Sequence, residues 1–300
     1  MKTILVTGGK GQLGTELTRY TWPEGYGVVA VDIDELDLRD TAAIMRVVEA
    51  GHDGQPFAAV ISAGAYTAVD KAETDVVTSW AVNAMAPAAF GEACAKAGIP
   101  LLQVSTDYVF DGAREGAWEV DDAVGPLGVY GASKLGGELA VKTAGCRYAI
   151  VRTAWVVSAH GNNFVKTMLR VGATNPTLRV VDDQHGSPTA AADLADALAR
   201  IAVRMIADPA IASGTYHFSN AGAVTWAGFA REIFAQASGR GGPSPSVDGI
   251  ASSEYPTPAT RPTNSLLSHS AIERDHGIVP RRWQDALSDI LDDLIGKKNA

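Results

Sequence analysis

The sequence predicts an α/β fold built on a doubly wound parallel sheet. Two observations carry the prediction. Short apolar, β-branched runs alternate with helical stretches five times between Thr3 and Trp155. A glycine-rich loop, Gly8-Gly9-Lys10-Gly11-Gln12-Leu13-Gly14, joins the first strand to the first helix. That is where a dinucleotide-binding sheet of Rossmann type carries its phosphate loop. A glycine pattern alone is weak, because turns are rich in glycine. The strand before it and the helix after it supply the context the motif requires.

Each element follows from local pattern. Thr3–Val6 reads as a buried strand, and a helix runs from the glycine loop to about Tyr20, ended by Trp22-Pro23. Val28–Asp32 is the second strand. Asp32 closes it roughly 20 residues past the loop, where a carboxylate accepts ribose hydroxyls. Asp37 or Leu38 lies next, within reach of an adenine, and Asp40 or Thr41 caps a helix over Ala42–Ala50. Phe57–Ala63 is the third strand. A long helical stretch from about Glu73 to Ala97 follows, bent at Pro87. Pro100–Val104 is the fourth strand and runs into Ser105-Thr106-Asp107. Tyr148–Trp155 is the fifth.

Beyond Val156 the alternation loosens. Helices are expected at Phe164–Val171, Ala190–Ile206, Thr225–Ala237 and Trp283–Ile295, with strands at Thr177–Val181 and Gly214–Ser219. The Gly/Pro/Ser-rich segment 239–262 reads as a long ordered loop over a cleft or a flap. The expected division is a dinucleotide-binding domain at 1–156 and a smaller C-terminal domain at 157–300. Parts of 177–218 are expected to return to the first sheet.

Composition excludes several classes. The 300 residues carry a formal net charge of −9 and are 46% hydrophobic, an ordinary globular balance that argues against nucleic acid as a partner. No apolar run is long enough to span a membrane, and the N-terminal one is too short for a signal peptide. Cys94 and Cys146 form no CxxC and no zinc-spaced cluster. A cytoplasmic protein without an active-site metal is expected.

The chemistry centres on Val129-Tyr130-Gly131-Ala132-Ser133-Lys134. On a helix, Tyr130 and Lys134 lie one turn apart on one face. An ammonium beside a phenol favours the phenolate, so the Tyr130 pKa is expected to fall from its usual value of about 10. Such a tyrosine exchanges a proton with a substrate oxygen.

Together, the glycine loop, Ser105-Thr106-Asp107, Tyr130 and Lys134 resemble the extended short-chain dehydrogenase/reductase superfamily. Longer stretches narrow the resemblance to the dTDP-4-dehydrorhamnose reductases: Ala65-Tyr66-Thr67-Ala68-Val69-Asp70-Lys71, Thr106-Asp107-Tyr108-Val109-Phe110-Asp111-Gly112, Arg152-Thr153-Ala154-Trp155 and Asp183-Gln184-His185-Gly186-Ser187-Pro188-Thr189. The resemblance implies reduction of a 4-keto dTDP-sugar by NADPH or NADH, and a smaller C-terminal domain that binds the sugar nucleotide. It implies that Gly8, Gly11, Gln12 and Leu13 hold the dinucleotide phosphates and Asp32 the ribose. Asp37 and Leu38 would flank the adenine, and Ala65, Tyr66 and Thr67 would line the cofactor. Thr106, Tyr130 and Lys134 would be catalytic, with Lys134 on the nicotinamide ribose. Val69, Thr106, Asp107, Tyr130 and Trp155 would meet the sugar.

Trp155 reads equally well as a core aromatic at a strand end. Glu16, Asp193 and Asp292 lie near places where some relatives hold a magnesium-linked dimer, but Ala191 and Ala192 occupy positions that want further acids. Monomer or homodimer both remain. The alternatives are a sugar-nucleotide epimerase or dehydratase, or a non-catalytic regulatory relative. A dehydratase wants an acidic pair beside the threonine, and Asp107 is followed by Tyr108. An intact Thr106, Tyr130 and Lys134 argues for an enzyme.

Overall fold

A computed structural model describes residues 1–297. Its first half runs β1 (Lys2–Thr7), α1 (Gln12–Arg19), β2 (Tyr26–Val31), α2 (Thr41–Ala50) and β3 (Ala59–Ser62). The helical stretch expected over Glu73–Ala97 is broken into α3 (Val69–Ala72), α4 (Val76–Trp80), a π-helical turn at Ala81–Met85, and α5 (Ala86–Ala97). Proline has no N–H to return to the preceding turn. The wider π turn absorbs that interruption and leaves Pro87 in the first turn of α5, where a missing N–H costs nothing. Next come β4 (Leu101–Thr106), a 3-10 turn at Asp107–Val109, α6 (Val129–Thr143) and β5 (Tyr148–Thr153).

The remainder comprises β6 (Val156–Val157), α7 (Phe164–Gly172), β7 (Thr177–Val181), β8 (His185–Gly186), β9 (Thr189–Ala190), α8 (Ala191–Ala207) and β10 (Gly214–His217). Then follow β11 (Val224–Thr225), α9 (Trp226–Ser238), β12 (Ser246–Ile250), α10 (Ser270–His276) and α11 (Trp283–Ile295).

The main sheet has the order β10-β5-β4-β3-β1-β2, with every neighbouring pair parallel. Its inner strands β1, β3, β4 and β5 are buried on both faces, as a parallel sheet requires. Ile4 and Val6 of β1 pack with α1 and α8 on one side. Leu5, between them, packs with α2 and α5 on the other. This alternation is the doubly wound arrangement expected from the sequence. The winding reverses between β1 and β3, and such a switch point opens a crevice at the strand ends.

A second core lies among α7, α9 and α11, built from Val165, Met168, Phe229, Ile233, Trp283 and Leu287. The segment 239–262 is not one loop. It contains β12, which pairs in parallel with β7 from Ser246↔Thr177 to Ile250↔Val181. Val247 packs on the second core. A five-residue strand with two apolar side chains is easily hidden by flanking glycine, proline and serine. Within 177–218, β10 is a strand of the main sheet, while β7 pairs with β12. Among the described residues no helix is long and apolar enough to cross a membrane.

Candidate active site

The glycine loop is tight because the chain leaves no room for side chains. Gly8 has φ +71°, and a Cβ there would lie 2.8 Å from the Gly64 Cα. A Cβ on Gly14 would stand 2.0 Å from the Gly8 carbonyl oxygen. The end of β1, the start of α1 and the end of β3 thus approach more closely than any larger residue permits. The loop closes through the Gly11 N–H, which donates to the Gly8 carbonyl at 3.0 Å. The N-terminus of α1 then faces a cleft of about 1100 Å³ lined by Gly8, Gly11, Gln12 and Leu13. Free N–H groups and the helix dipole there favour a phosphate.

The same cleft takes in Asp32, Asp37, Leu38, Ala65, Tyr66, Thr67 and Val69. Asp32 already accepts two backbone N–H groups, from Lys10 at 2.7 Å and Ile33 at 2.8 Å. Each carboxylate oxygen keeps a lone pair for a ribose hydroxyl. Two cations stand at this end. Lys10 is ion-paired with Asp34, and Arg39 grips Asp37 at 2.6 Å. Arg39 lines the cleft and is a cation that the glycine loop and Asp32 do not by themselves single out. Gln12 is tied to the chain beyond β6: its amide oxygen accepts from Ser158 and Asn163, each at 2.9 Å.

The π turn holds a second residue that pattern reading missed. Asn83 is buried, accepts the Tyr66 N–H at 2.9 Å and donates to the Tyr66 carbonyl at 3.1 Å. It also donates to the Ser133 hydroxyl at 3.0 Å. One amide therefore locks the loop after β3 to the helix that carries Tyr130. A π turn inside a helical stretch is the structural signal; in the sequence Asn83 is one polar residue among alanines.

Thr106, Asp107, Tyr130, Lys134 and Trp155 all line the cleft. The Thr106 hydroxyl accepts the Tyr108 N–H at 3.2 Å and donates to Asp107 Oδ1 at 3.0 Å. It also faces the Tyr130 phenol, so it caps the 3-10 turn and meets the site at once. Burial pushes the Asp107 carboxyl up to about 6, and its Oδ2 has no hydrogen-bond partner among the described residues. The Tyr108 ring meets the Tyr130 ring edge-on at 5.4 Å.

The expected acidification of Tyr130 is not what the structure shows. Burial raises the phenol above its usual range, and the nearby Asp107 and Tyr108 raise it further. Lys134 does not counter this, because its ammonium turns away to donate to the Val104 carbonyl at 2.6 Å. Desolvation falls on Lys134 as well and lowers it to about 8, against the opposing charge of Glu138. One helical turn brings the two residues to the same face, but burial outweighs their proximity.

Trp155 stands between the cleft and the second core. It lines the cleft, and its ring stacks on Trp226 at 3.5 Å between centroids. It holds φ +49°, rare for a bulky side chain. The chain beyond the main sheet reaches back through Arg261, which donates to Asp70 at 2.7 Å and to the Tyr108 hydroxyl at 3.0 Å. Glu16, Asp193 and Asp292 are each engaged by a basic partner, His160 at 3.3 Å, Arg281 at 2.9 Å and Arg240 at 2.7 Å.

A family model described as the RmlD substrate binding domain matches residues 1–295. A dTDP-4-dehydrorhamnose reductase of Aggregatibacter actinomycetemcomitans is 39% identical over 293 residues, 97% of this chain and 98% of that relative. A solved dTDP-4-dehydrorhamnose reductase from Clostridium acetobutylicum matches with a TM-score of 0.88 at 36% identity, covering 97% of this chain and 98% of that one. Another, from Bacillus anthracis in complex with NADP, gives 0.87 at 34% identity over 96% and 98%. Likeness at this identity, carried over nearly the full length of both partners, leaves one assignment: the chain belongs to the RmlD family of dTDP-4-dehydrorhamnose reductases.

Proposed function

We propose that the chain reduces the 4-keto group of dTDP-4-dehydro-L-rhamnose to give dTDP-L-rhamnose, the last step of dTDP-rhamnose synthesis, with NADPH or NADH as reductant. The observation that carries this reading is the convergence of Thr106, Tyr130 and Lys134 on the cleft that the glycine loop opens into. The residues present fit a dinucleotide. The Gly8–Gly14 cradle would be filled by any Cβ, α1 points its N-terminus at the cleft, and Asp32 stands at the end of β2. A bound nicotinamide would supply the hydride to C4.

The chain's own residues do the rest. As charge develops on the C4 oxygen, the Thr106 hydroxyl turns its one proton from Asp107 Oδ1 toward it, and Tyr130 delivers a proton. A phenol held above its usual pKa suits this task. It stays protonated at neutral pH until an alkoxide, a far stronger base, forms beside it. Lys134 holds the nicotinamide ribose. Asp107 and Val69 contact the sugar, and the free face of Trp155 closes its pocket. Residues up to 156 serve mainly the dinucleotide, and the chain after them mainly the sugar nucleotide.

The test is direct. Mixing the protein with NADPH or NADH and dTDP-4-dehydro-L-rhamnose should consume reduced nicotinamide in proportion to dTDP-L-rhamnose formed. Turnover of the sugar with unchanged nicotinamide absorbance rejects the reductase reading and points to an epimerase.

A further inference from the structure

Glu138 follows Lys134 by four residues and Tyr130 by eight, so the three share one face of α6 over two turns. Glu138 is fully buried, and its carboxylate is the meeting point of three elements. Arg152 of β5 donates to it twice, from Nε at 2.9 Å and from a terminal nitrogen at 2.8 Å. The Ser105 hydroxyl of β4 donates at 2.6 Å. Ser105 precedes Thr106, and Arg152 precedes Thr153, which lines the cleft. Arg152 is itself pinned, by the Val120 carbonyl at 3.2 Å, by His217 of β10 at 3.4 Å and by the Phe110 ring beneath it.

Two facts set this carboxylate apart from a structural ion pair. A buried pair contributes little net stability over apolar side chains of the same volume, because both charges lose their water. The second fact is Lys134. Its ammonium is 4% exposed, and its one hydrogen bond among the described residues goes to a neutral carbonyl. The titratable and charged groups around it are few. Tyr130 and Glu138 lie on its own helix, and Glu73 accepts the Val129 N–H at the helix start. Asp107 and Tyr108 lie on the 3-10 turn, and Arg152 and His217 lie behind Glu138. Of these, Glu138 is the charge that favours the ammonium. His217 is held neutral by burial and by Arg152.

We propose that Glu138 is a positioning residue for the reduction. Its carboxylate, paired with Arg152, is an opposing charge one helical turn from the buried Lys134 ammonium, and its fixed oxygens hold the helix of Tyr130 and Lys134 in register with Thr106. The inference rests on the functional reading above, but it makes a claim about dinucleotide binding that can be measured without the sugar. Lys134 grips a ribose more strongly as the ammonium, whose hydrogen bonds are charge-assisted. Removing the Glu138 charge should make that proton easier to lose.

The experiment compares the full-length wild type with Glu138→Gln, Glu138→Asp and the double variant Glu138→Gln/Arg152→Met, which removes both charges together. NADPH affinity by nucleotide fluorescence and kcat/KM are followed from pH 6 to pH 9, with circular dichroism as the check on folding. The double variant, which also removes the opposing Arg152 charge, should move the alkaline limb less than Glu138→Gln, which should bring it down by about one pH unit. That is roughly a fivefold loss at pH 8 with near-wild-type values at pH 6. Glu138→Asp keeps the charge and should restore the wild-type limb. Ser105→Ala, which removes only the shortest hydrogen bond to Glu138, should fold normally and lower kcat while leaving NADPH affinity unchanged. A limb at the wild-type pH in folded Glu138→Gln, or an unchanged kcat in Ser105→Ala, overturns the proposal. Wild-type protein that binds NADPH but does not reduce the keto sugar overturns the functional reading and leaves the binding test of Glu138 in force.

Discussion

Two side chains at the site make opposite demands on their substitutes. Tyr130→Phe keeps the ring that packs on Tyr108 and loses only the hydroxyl. Loss of a general acid lowers turnover by ~10²–10⁴-fold, so kcat should fall on that scale while the dissociation constant for NADPH stays at the wild-type value. Normal turnover would remove Tyr130 from the proton step. Gly14→Ala asks for a single methyl where a carbonyl oxygen stands 2.0 Å away. That oxygen is backbone and cannot swing aside, so denaturant melts should show a loss of about 3 kcal/mol. An unchanged midpoint would mean that the loop relaxes freely. Trp155 combines the two cases. Trp155→Ala should raise KM for the sugar nucleotide more than for the dinucleotide, and should also lower Tm because the stack on Trp226 is lost. Equal effects on both KM values would leave Trp155 with the stacking role alone.

At the scale of elements, the proposed function gives the segment after β2 the choice of dinucleotide. Asp34 and Asp37 hold Lys10 and Arg39 beside Asp32, so each cation near the ribose is already matched by an acid. A 2′-phosphate must draw them from those partners, whereas a 2′-hydroxyl need only reach Asp32. Lys10→Ala and Arg39→Ala should each lower kcat/KM for NADPH by roughly tenfold, the scale of one charge-assisted contact, and spare NADH. Asp32→Ala should weaken NADH more. All assays belong at one ionic strength, since salt screens these charges. Equal losses with both dinucleotides would show that none of the three reads the 2′ position. The same segment shows what was legible beforehand. The glycine loop, Asp32, Thr106, Tyr130 and Lys134 sit in strongly patterned turns and strand ends, and their shared cleft could be read from one chain. Asn83, Glu138 and Arg261 could not, because their meaning lies in partners 17, 14 and 191 residues away. The Tyr130 shift was misread for a related reason: helical spacing shows proximity, whereas desolvation depends on everything packed around the pair.

For the whole molecule, acid should be the weak side. Burial holds His217 neutral down to about 3, and His269 and His276 to about 4. Their folded pKa values lie below the unfolded value of about 6.5. The unfolded chain therefore takes up protons that the fold refuses, and stability falls as pH drops from 6.5 toward 3, by at most about 1.4 kcal/mol per pH unit for each residue. Asp107 acts in the opposite sense between about 6 and its usual carboxylate value, offsetting about one of the three. Thermal melts from pH 7 to pH 4 should show a steady decline, shallower in His217→Gln; a flat profile would mean that the histidines are already solvated. The placement of β10 has a further consequence, for the order of assembly. Gly214–His217 covers the edge of β5, and Arg261 does not reach Asp70 until most of the chain has been made. During synthesis β5 is an open strand edge, with Arg152 unroofed beside it, until some sixty further residues emerge. An open edge of that kind recruits other chains. Nascent or truncated forms ending before Gly214 are therefore the species that chaperones must shield.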